Sequence, residues 1–317
     1  MTGYFVISTG RCGSTLLSEL LSNHPSVLSI SEFFSVYGGA PQFGEAEVSD
    51  LEFRAKLEQC DRDLLEVGKR ATIPEIVSPN WNSRSNVHGL MLVMLPQLTA
   101  TPEDLLREIR NALTTGRRAS ESEHVVRLFE WLRLRLDRQV WVERSGGSIE
   151  YVDHIMASWA SSALIHLVRD GRECAHSMSQ HPMFQVRLAR ILARNAAMPI
   201  RSCLESAIPV DRFGAYWSAL MLRTEKTLVD SPLRRHLVIT YDELQTSHAN
   251  TLTTVARFMG LPQLHDCRWI QNGFSKIRAS PPRWQTLGAS VRKALERSCR
   301  PGMHAVERIL ARRNGMR

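Results

Sequence analysis

Gly10, Arg11, Cys12, Gly13, Ser14 and Thr15 follow one another, and together they have the residue types of an anion cradle. Gly10 and Gly13 permit positive φ and let the backbone come close to a ligand. Backbone N–H groups of such a turn, continued by the first turn of a helix, converge on an anion. Arg11 adds charge, and Ser14 and Thr15 add hydroxyl donors; the natural occupant is a phosphate. The spacing differs from the nucleotide P-loop G-x-x-x-x-G-K-[ST], and no Lys precedes Ser14. That argues against an ATPase or GTPase. Arg169 stands at the end of another apolar run, with Ser177 eight residues further along. An arginine fork can bond phosphate bidentately. Glu32 follows a short strand one crossover from the cradle, where α/β sheets place ligands.

These side chains need strands and helices to hold them. Tyr4–Ile7 is apolar, aromatic and β-branched, as in a fully buried parallel strand. Leu16, Leu17, Leu20 and Leu21 then mark one face of a helix. Leu28–Ser31 reads as the strand before Glu32, and Gln139–Val142 as the strand before Glu143-Arg144. Ala163–Val168 ends at Arg169, Gly171 turns the chain, and a helix carries Ser177. Leu237–Thr240 is a further strand, and Thr251–Phe258 a helix with a Gly260 stop. Residues 36–136 show helical spacing at 51–70, 102–113 and 122–136 and no strong strand signal. A final helix is expected over Val291–Arg313.

Gly-Arg-Cys-Gly-Ser-Thr-Leu-Leu at 10–17 resembles the 5′-phosphosulfate loop of sulfotransferases that use 3′-phosphoadenosine 5′-phosphosulfate (PAPS), usually R-[ST]-G-[ST]-[ST]-L. Cys12 departs from that form. Later segments fit the same family in order. Asn23-His24-Pro25 followed by Glu32 matches the turn that delivers the general base in the branch containing tyrosylprotein and bacterial small-molecule sulfotransferases. Trp141-Val142-Glu143-Arg144-Ser145 is similar to W-x-E-K-[ST]-P, with Arg144 for Lys and Gly146 for Pro. No His lies between 144 and 150, where the cytosolic aryl and steroid enzymes keep a catalytic one. Arg169-Asp170-Gly171-Arg172-Glu173 with Ser177 matches the R-[DN]-x-R-[DE]-x-x-x-S part of the family's L-x-x-x-R-[DN]-x-R-[DE]-x-x-x-S pattern. Tyr241-Asp242-Glu243-Leu244 and Phe258-Met259-Gly260-Leu261-Pro262 match two structural segments.

The resemblance implies PAPS as donor and adenosine 3′,5′-bisphosphate as product. Gly10, Arg11, Cys12, Gly13, Ser14 and Thr15 would hold the 5′-phosphosulfate, and Arg169 with Ser177 the 3′-phosphate. Lys276, Arg278 and Arg283, in a tail loop over 276–290, would cover the nucleotide. Glu32 would be the general base, and Arg11 and Arg144 would face the transferring group. Arg172 is expected to scaffold its helix, His181 to share the Ser177 face, and Trp217 to pack in the core. No metal is required, because arginines and a helix N-terminus supply the positive field.

The expected fold is α/β: a P-loop-type three-layer sandwich with a parallel sheet of about five strands. It is expected as a single domain over 1–317, with 36–136 a mostly helical insertion on the acceptor side. The net charge of +8 suits an anionic ligand. The basic residues are scattered and not interleaved with aromatics, so a nucleotide, not nucleic acid, is the expected partner. Six cysteines lie far apart, without metal spacing, and read as free thiols of a reducing compartment. No apolar run approaches the roughly 20 residues of a membrane span, and a strand beginning by residue 4 leaves no room for a signal peptide. The expectation is a cytoplasmic transferase acting on a hydroxyl or amine of a small-molecule or natural-product acceptor, with oligomeric state open. The competing classes are a kinase-like phosphotransferase and a non-catalytic nucleotide-binding relative.

Overall fold

A computed structural model describes residues 3–37, 46–59, 67, 73, 76, 88–159, 161–197, 203, 207–230, 235–262, 268–271 and 281–315. The strands in chain order are β1 (Gly3–Ile7), β2 (Val27–Ser31), β3 (Glu47–Ser49), β4 (Arg118–Ser120), β5 (Val140–Arg144), β6 (Ala163–Val168) and β7 (His236–Thr240). Five form one sheet in the order β2-β5-β1-β6-β7, and every pairing in it is parallel. β1, β2, β5 and β6 are buried throughout, as strands of a parallel sheet covered on both faces are.

The pleat sends alternate residues to two cores. Tyr4 and Val6 join a core with the helices Ser14–Ser22, Gly171–Ser179, Val210–Asp230 and Ala289–Gly315. Phe5 and Ile7 join a second core with the helices Asp50–Glu58, Pro102–Ala112 and Glu121–Arg135. Helices therefore cover both faces, giving the three-layer α/β sandwich expected from the sequence.

The 36–136 region differs in detail. β3 and β4 pair antiparallel, Val48 opposite Ala119. Three-residue strands are too short to show a two-residue period, so the sequence carries no signal for them. Of the helix expected over 51–70, the structure forms Asp50–Glu58, opened by a capping box between Ser49 and Glu52 and ended by an extended Gln59, while 60–66 and 68–70 lie outside the described residues. Pro102–Ala112 begins with Pro at its first turn and Glu103 and Asp104 beside it, as the sequence predicts. The last helix runs longer, Ala289–Gly315, with Pro301 inside it. Ser218 Oγ accepts from Gly302 N there at 3.2 Å, next to the break that Pro301 makes.

Candidate active site

β1 ends in a turn whose backbone is left-handed at Gly10 (φ 77°), Arg11 (φ 55°) and Gly13 (φ 93°). A methyl on Gly13 would lie 2.4 Å from the Tyr241 ring, and one on Gly10 2.3 Å from Phe184. Glycine is thus required at both places for space as well as for φ. The helix Ser14–Ser22 starts here with no side-chain cap, and the start of a helix is where backbone N–H groups favour an anion. Gly10, Arg11, Ser14 and Thr15 line the adjoining cavity. The Cys12 side chain is fully buried in the core, and burial raises its thiol pKa. Cys12 therefore offers this turn backbone only.

The turn after β6, the second place expected to hold an anion, lies against the first. Arg169 follows β6 and donates from Nη1 to the Arg11 carbonyl at 3.0 Å. Its guanidinium sits 4.1 Å over the Tyr241 ring and 3.5 Å from Glu173 Oε1. Arg11 Nε donates to Ser177 Oγ at 3.1 Å. Arg172 bonds Asp170 and stacks 4.3 Å over Trp284, the scaffolding expected of it. Trp284 N donates to Glu173 Oε2 at 3.3 Å, and the largely exposed Arg283 lies 3.7 Å from the same carboxylate. Arg283 is thus beside the second element, whereas Lys276 and Arg278 lie outside the described residues. His181 is not on the Ser177 helical face: that helix ends at Ser179, and His181 is the N-cap of the helix Pro182–Ala196. Pro182 forces the break, because its ring cannot continue the preceding helix. Trp217 is buried against Gly171 and Gly302, as expected of a core residue.

Glu32 and Arg144 meet at the ends of paired strands. β2 and β5 place Ser31 beside Arg144, and Glu32 N donates to the Arg144 carbonyl at 2.7 Å. Arg144 Nη1 bonds Glu32 Oε1, while Nη2 donates to Ser31 Oγ at 3.3 Å. Glu32 Oε2 accepts from Ser35 Oγ at 2.5 Å and from Gly146 N at 2.9 Å. Both side chains are nearly buried, 8% and 3% exposed for Glu32 and Arg144. Glu143 and Arg144 do not pair with each other. Alternation along β5 turns Glu143 away, and it accepts from Ser145 Oγ at 2.5 Å. Burial, ahead of the nearby Glu32 charge, pushes Glu143 up to about 8.

One cavity of about 710 Å³ is lined by the β1 turn, Glu32 and Arg144. Its opposite wall comes from the helices Pro182–Ala196 and Val210–Asp230 and from Tyr151 and His154. Such a volume suits a small-molecule site. A model of the sulfotransferase family matches residues 4–266 of the sequence.

The chain belongs to the sulfotransferase family.

Solved sulfotransferases have the same fold. The sulfotransferase domain from the curacin biosynthetic pathway is 16% identical, with 92% of this chain and 82% of that one covered and a TM-score of 0.50. The sulfotransferase domain of the Synechococcus PCC 7002 olefin synthase is 17% identical, with 94% and 92% covered and a TM-score of 0.50. A search of curated proteins finds no significant match.

Against the family pattern, Gly146 stands where Pro is usual. Here its N–H is a donor to Glu32, which a Pro could not be. Arg144, in place of Lys, spans Glu32 and Ser31 with two arms of one planar fork. These two departures act on the same carboxylate, so this sulfotransferase fixes Glu32 by a local variant of the family's strand end. Among the described residues, no group of three or more His, Cys, Asp or Glu could hold a metal ion. None of the described helices is long and apolar enough to cross a membrane.

Proposed function

We propose that this sulfotransferase moves a sulfuryl group from PAPS to a hydroxyl or amine of a small-molecule acceptor, with Glu32 as general base. The observation that carries this reading is the shared cavity: the glycine-bounded turn, Arg11, Arg144 and the Glu32 carboxylate all open onto it. The residues fit the donor. Uncapped N–H groups and Arg11 suit the 5′-phosphosulfate, and Arg169 with Ser177, one hydrogen bond away, suits the 3′-phosphate. When bound, PAPS supplies the sulfuryl group and leaves as the bisphosphate.

Glu32 takes the acceptor proton at its carboxylate, which Gly146, Ser35 and Arg144 hold in one orientation. Arg11, Arg144 and the turn N–H groups favour negative charge on the departing oxygen. Much of the acceleration comes from alignment of acceptor and donor, as in phosphoryl transfer. The 3′-phosphate contacts distinguish PAPS from ATP and adenylyl sulfate.

Titration calorimetry with adenosine 3′,5′-bisphosphate and with ADP, each with and without magnesium, tests the reading. Metal-independent binding of the bisphosphate, at least about tenfold tighter, is expected. Equal affinities would overturn the donor assignment, and magnesium-dependent ADP binding would favour a phosphotransferase. Bisphosphate binding with no transfer of labelled sulfuryl to any acceptor would point to a non-catalytic relative.

A further inference from the structure

Glu32 is the N-cap of the short helix Phe33–Val36, and its backbone is left-handed there, φ 58° and ψ 25°. A residue other than glycine takes that conformation at a cost, and its surroundings must hold it. An N-cap side chain ordinarily turns back to accept from the second or third amide of its own helix. The Glu32 side chain makes no such cap. Its carboxylate is engaged elsewhere, Oε1 by Arg144 and Oε2 by Gly146 N at 2.9 Å and Ser35 Oγ at 2.5 Å.

The amides it forgoes are satisfied by other acceptors. Ser35 N, the third, donates to the Glu32 carbonyl at 3.1 Å. Phe34 N, the second, donates at 2.9 Å to the Oγ of Ser145, just past the end of β5. Phe34 and Ser145 are fully buried, where an amide left without an acceptor is costly. A serine hydroxyl has one hydrogen and two lone pairs. Ser145 gives its hydrogen to Glu143 Oε1 at 2.5 Å, which leaves its lone pairs for Phe34. The Phe34 amide is also near the Glu143 carboxyl, so the three groups meet. Arg144, Ser145 and Gly146 thus fix one point each of the Glu32 turn. The Arg144 carbonyl accepts from Glu32 N at 2.7 Å, Ser145 accepts from Phe34, and Gly146 holds the carboxylate.

We propose that Ser145, oriented by Glu143, is a positioning residue for Glu32: it caps the Phe33–Val36 helix from the neighbouring strand, so that the Glu32 carboxylate faces the cavity instead of its own helix. The role of Glu32 in the cavity rests on the sulfotransfer reading above; its placement does not. Without the Ser145 hydroxyl, Phe34 N must find another acceptor, and the Glu32 carboxylate is the one an N-cap supplies. Turning there takes it off Gly146 and out of the cavity.

Crystal structures of the parent, Ser145→Ala and Ser145→Thr test the placement. Release of labelled sulfate from labelled PAPS, in which Glu32 takes the proton of the attacking water, tests its consequence. In Ser145→Ala the Glu32 carboxylate should leave Gly146 N and turn to the Phe34 amide, and turnover should fall about 100-fold. Bisphosphate affinity by calorimetry should stay within about twofold, because the β1 turn is untouched. Ser145→Thr, which keeps the hydroxyl, should restore both placement and turnover. Glu32 still bonded to Gly146 in Ser145→Ala, with Phe34 N on Glu143 or on no acceptor, overturns the proposal; so does unchanged turnover in that variant. Should Ser145→Ala fail to fold, Ser145→Cys, whose thiol accepts only weakly, is read in the same way. A parent that neither binds the bisphosphate nor releases sulfate strikes the sulfotransfer reading instead, because the Glu32 placement is read from the crystals alone.

Discussion

Arg11 and Ser177 are bonded to each other, Nε to Oγ at 3.1 Å, across 166 residues of sequence. The bond joins the turn after β1 to the helix after β6. Arg169 doubles the connection by donating to the Arg11 carbonyl. On the proposed reading, two turns linked so closely would hold the two ends of one nucleotide.

Arg169→Ala should therefore abolish the preference for adenosine 3′,5′-bisphosphate over ADP. An arginine–phosphate contact is charge-assisted and bidentate in favourable cases, so a loss of about tenfold or more in bisphosphate affinity is expected, with ADP little affected. Calorimetry on the two ligands checks this. A preference that survives would mean that the 3′-phosphate sits elsewhere.

Glu32→Gln keeps the shape of the side chain and removes the base. Sulfuryl transfer should fall about 100- to 10,000-fold, the range of a positioned general base, with bisphosphate affinity unchanged. A single-turnover assay with labelled donor separates the two effects. Arg144→Ala is a different case, because it strands a buried carboxylate. It should destabilise the fold by about 3–5 kcal/mol, measurable in urea, whereas Arg144→Lys should fold and retain activity.

Gly13→Ala tests the turn itself. A side chain at φ 93°, pressed on the Tyr241 ring, costs on the order of 1–3 kcal/mol. The variant should melt earlier and bind the bisphosphate more weakly. Normal affinity would show that the turn does not hold the donor.

Stability should decline at both ends of the pH range. Burial drives His166 down to about 3 and His236 down to about 4, and the two rings stack 5.9 Å apart. The unfolded chain takes up these protons first, so their contribution is present above pH 6.5, the ordinary His value, and is lost as pH falls toward 3 to 4. Glu143 has the opposite sign: raised to about 8, it favours the folded state below pH 4.5 and loses that advantage as pH rises through 8. Calorimetric melting against pH should show both declines, and Glu143→Gln should flatten the alkaline one alone.

What was legible in the sequence was local. The β1 turn and the Arg169 strand end each lie within a dozen or so residues of chain, and period and punctuation suffice to read them. Glu32 could be singled out, but its partner could not: Arg144 reaches it only because β5 lies beside β2 in the sheet. The amide of Gly146 likewise becomes a donor only through that pairing. Pro182 opens a new helix, and this moves His181 out of the Ser177 helical face expected for it.

The central sheet separates two bodies of apolar packing. Val36, Ile73, Val93 and Tyr151, on one side of the cavity, belong to one. Phe184, Tyr216 and Leu220, on its other side, belong to the other, together with Cys12, Cys174, Trp217 and Trp284. A lineage could therefore reshape one side of the cavity while the packing beneath the β1 turn stays as it is.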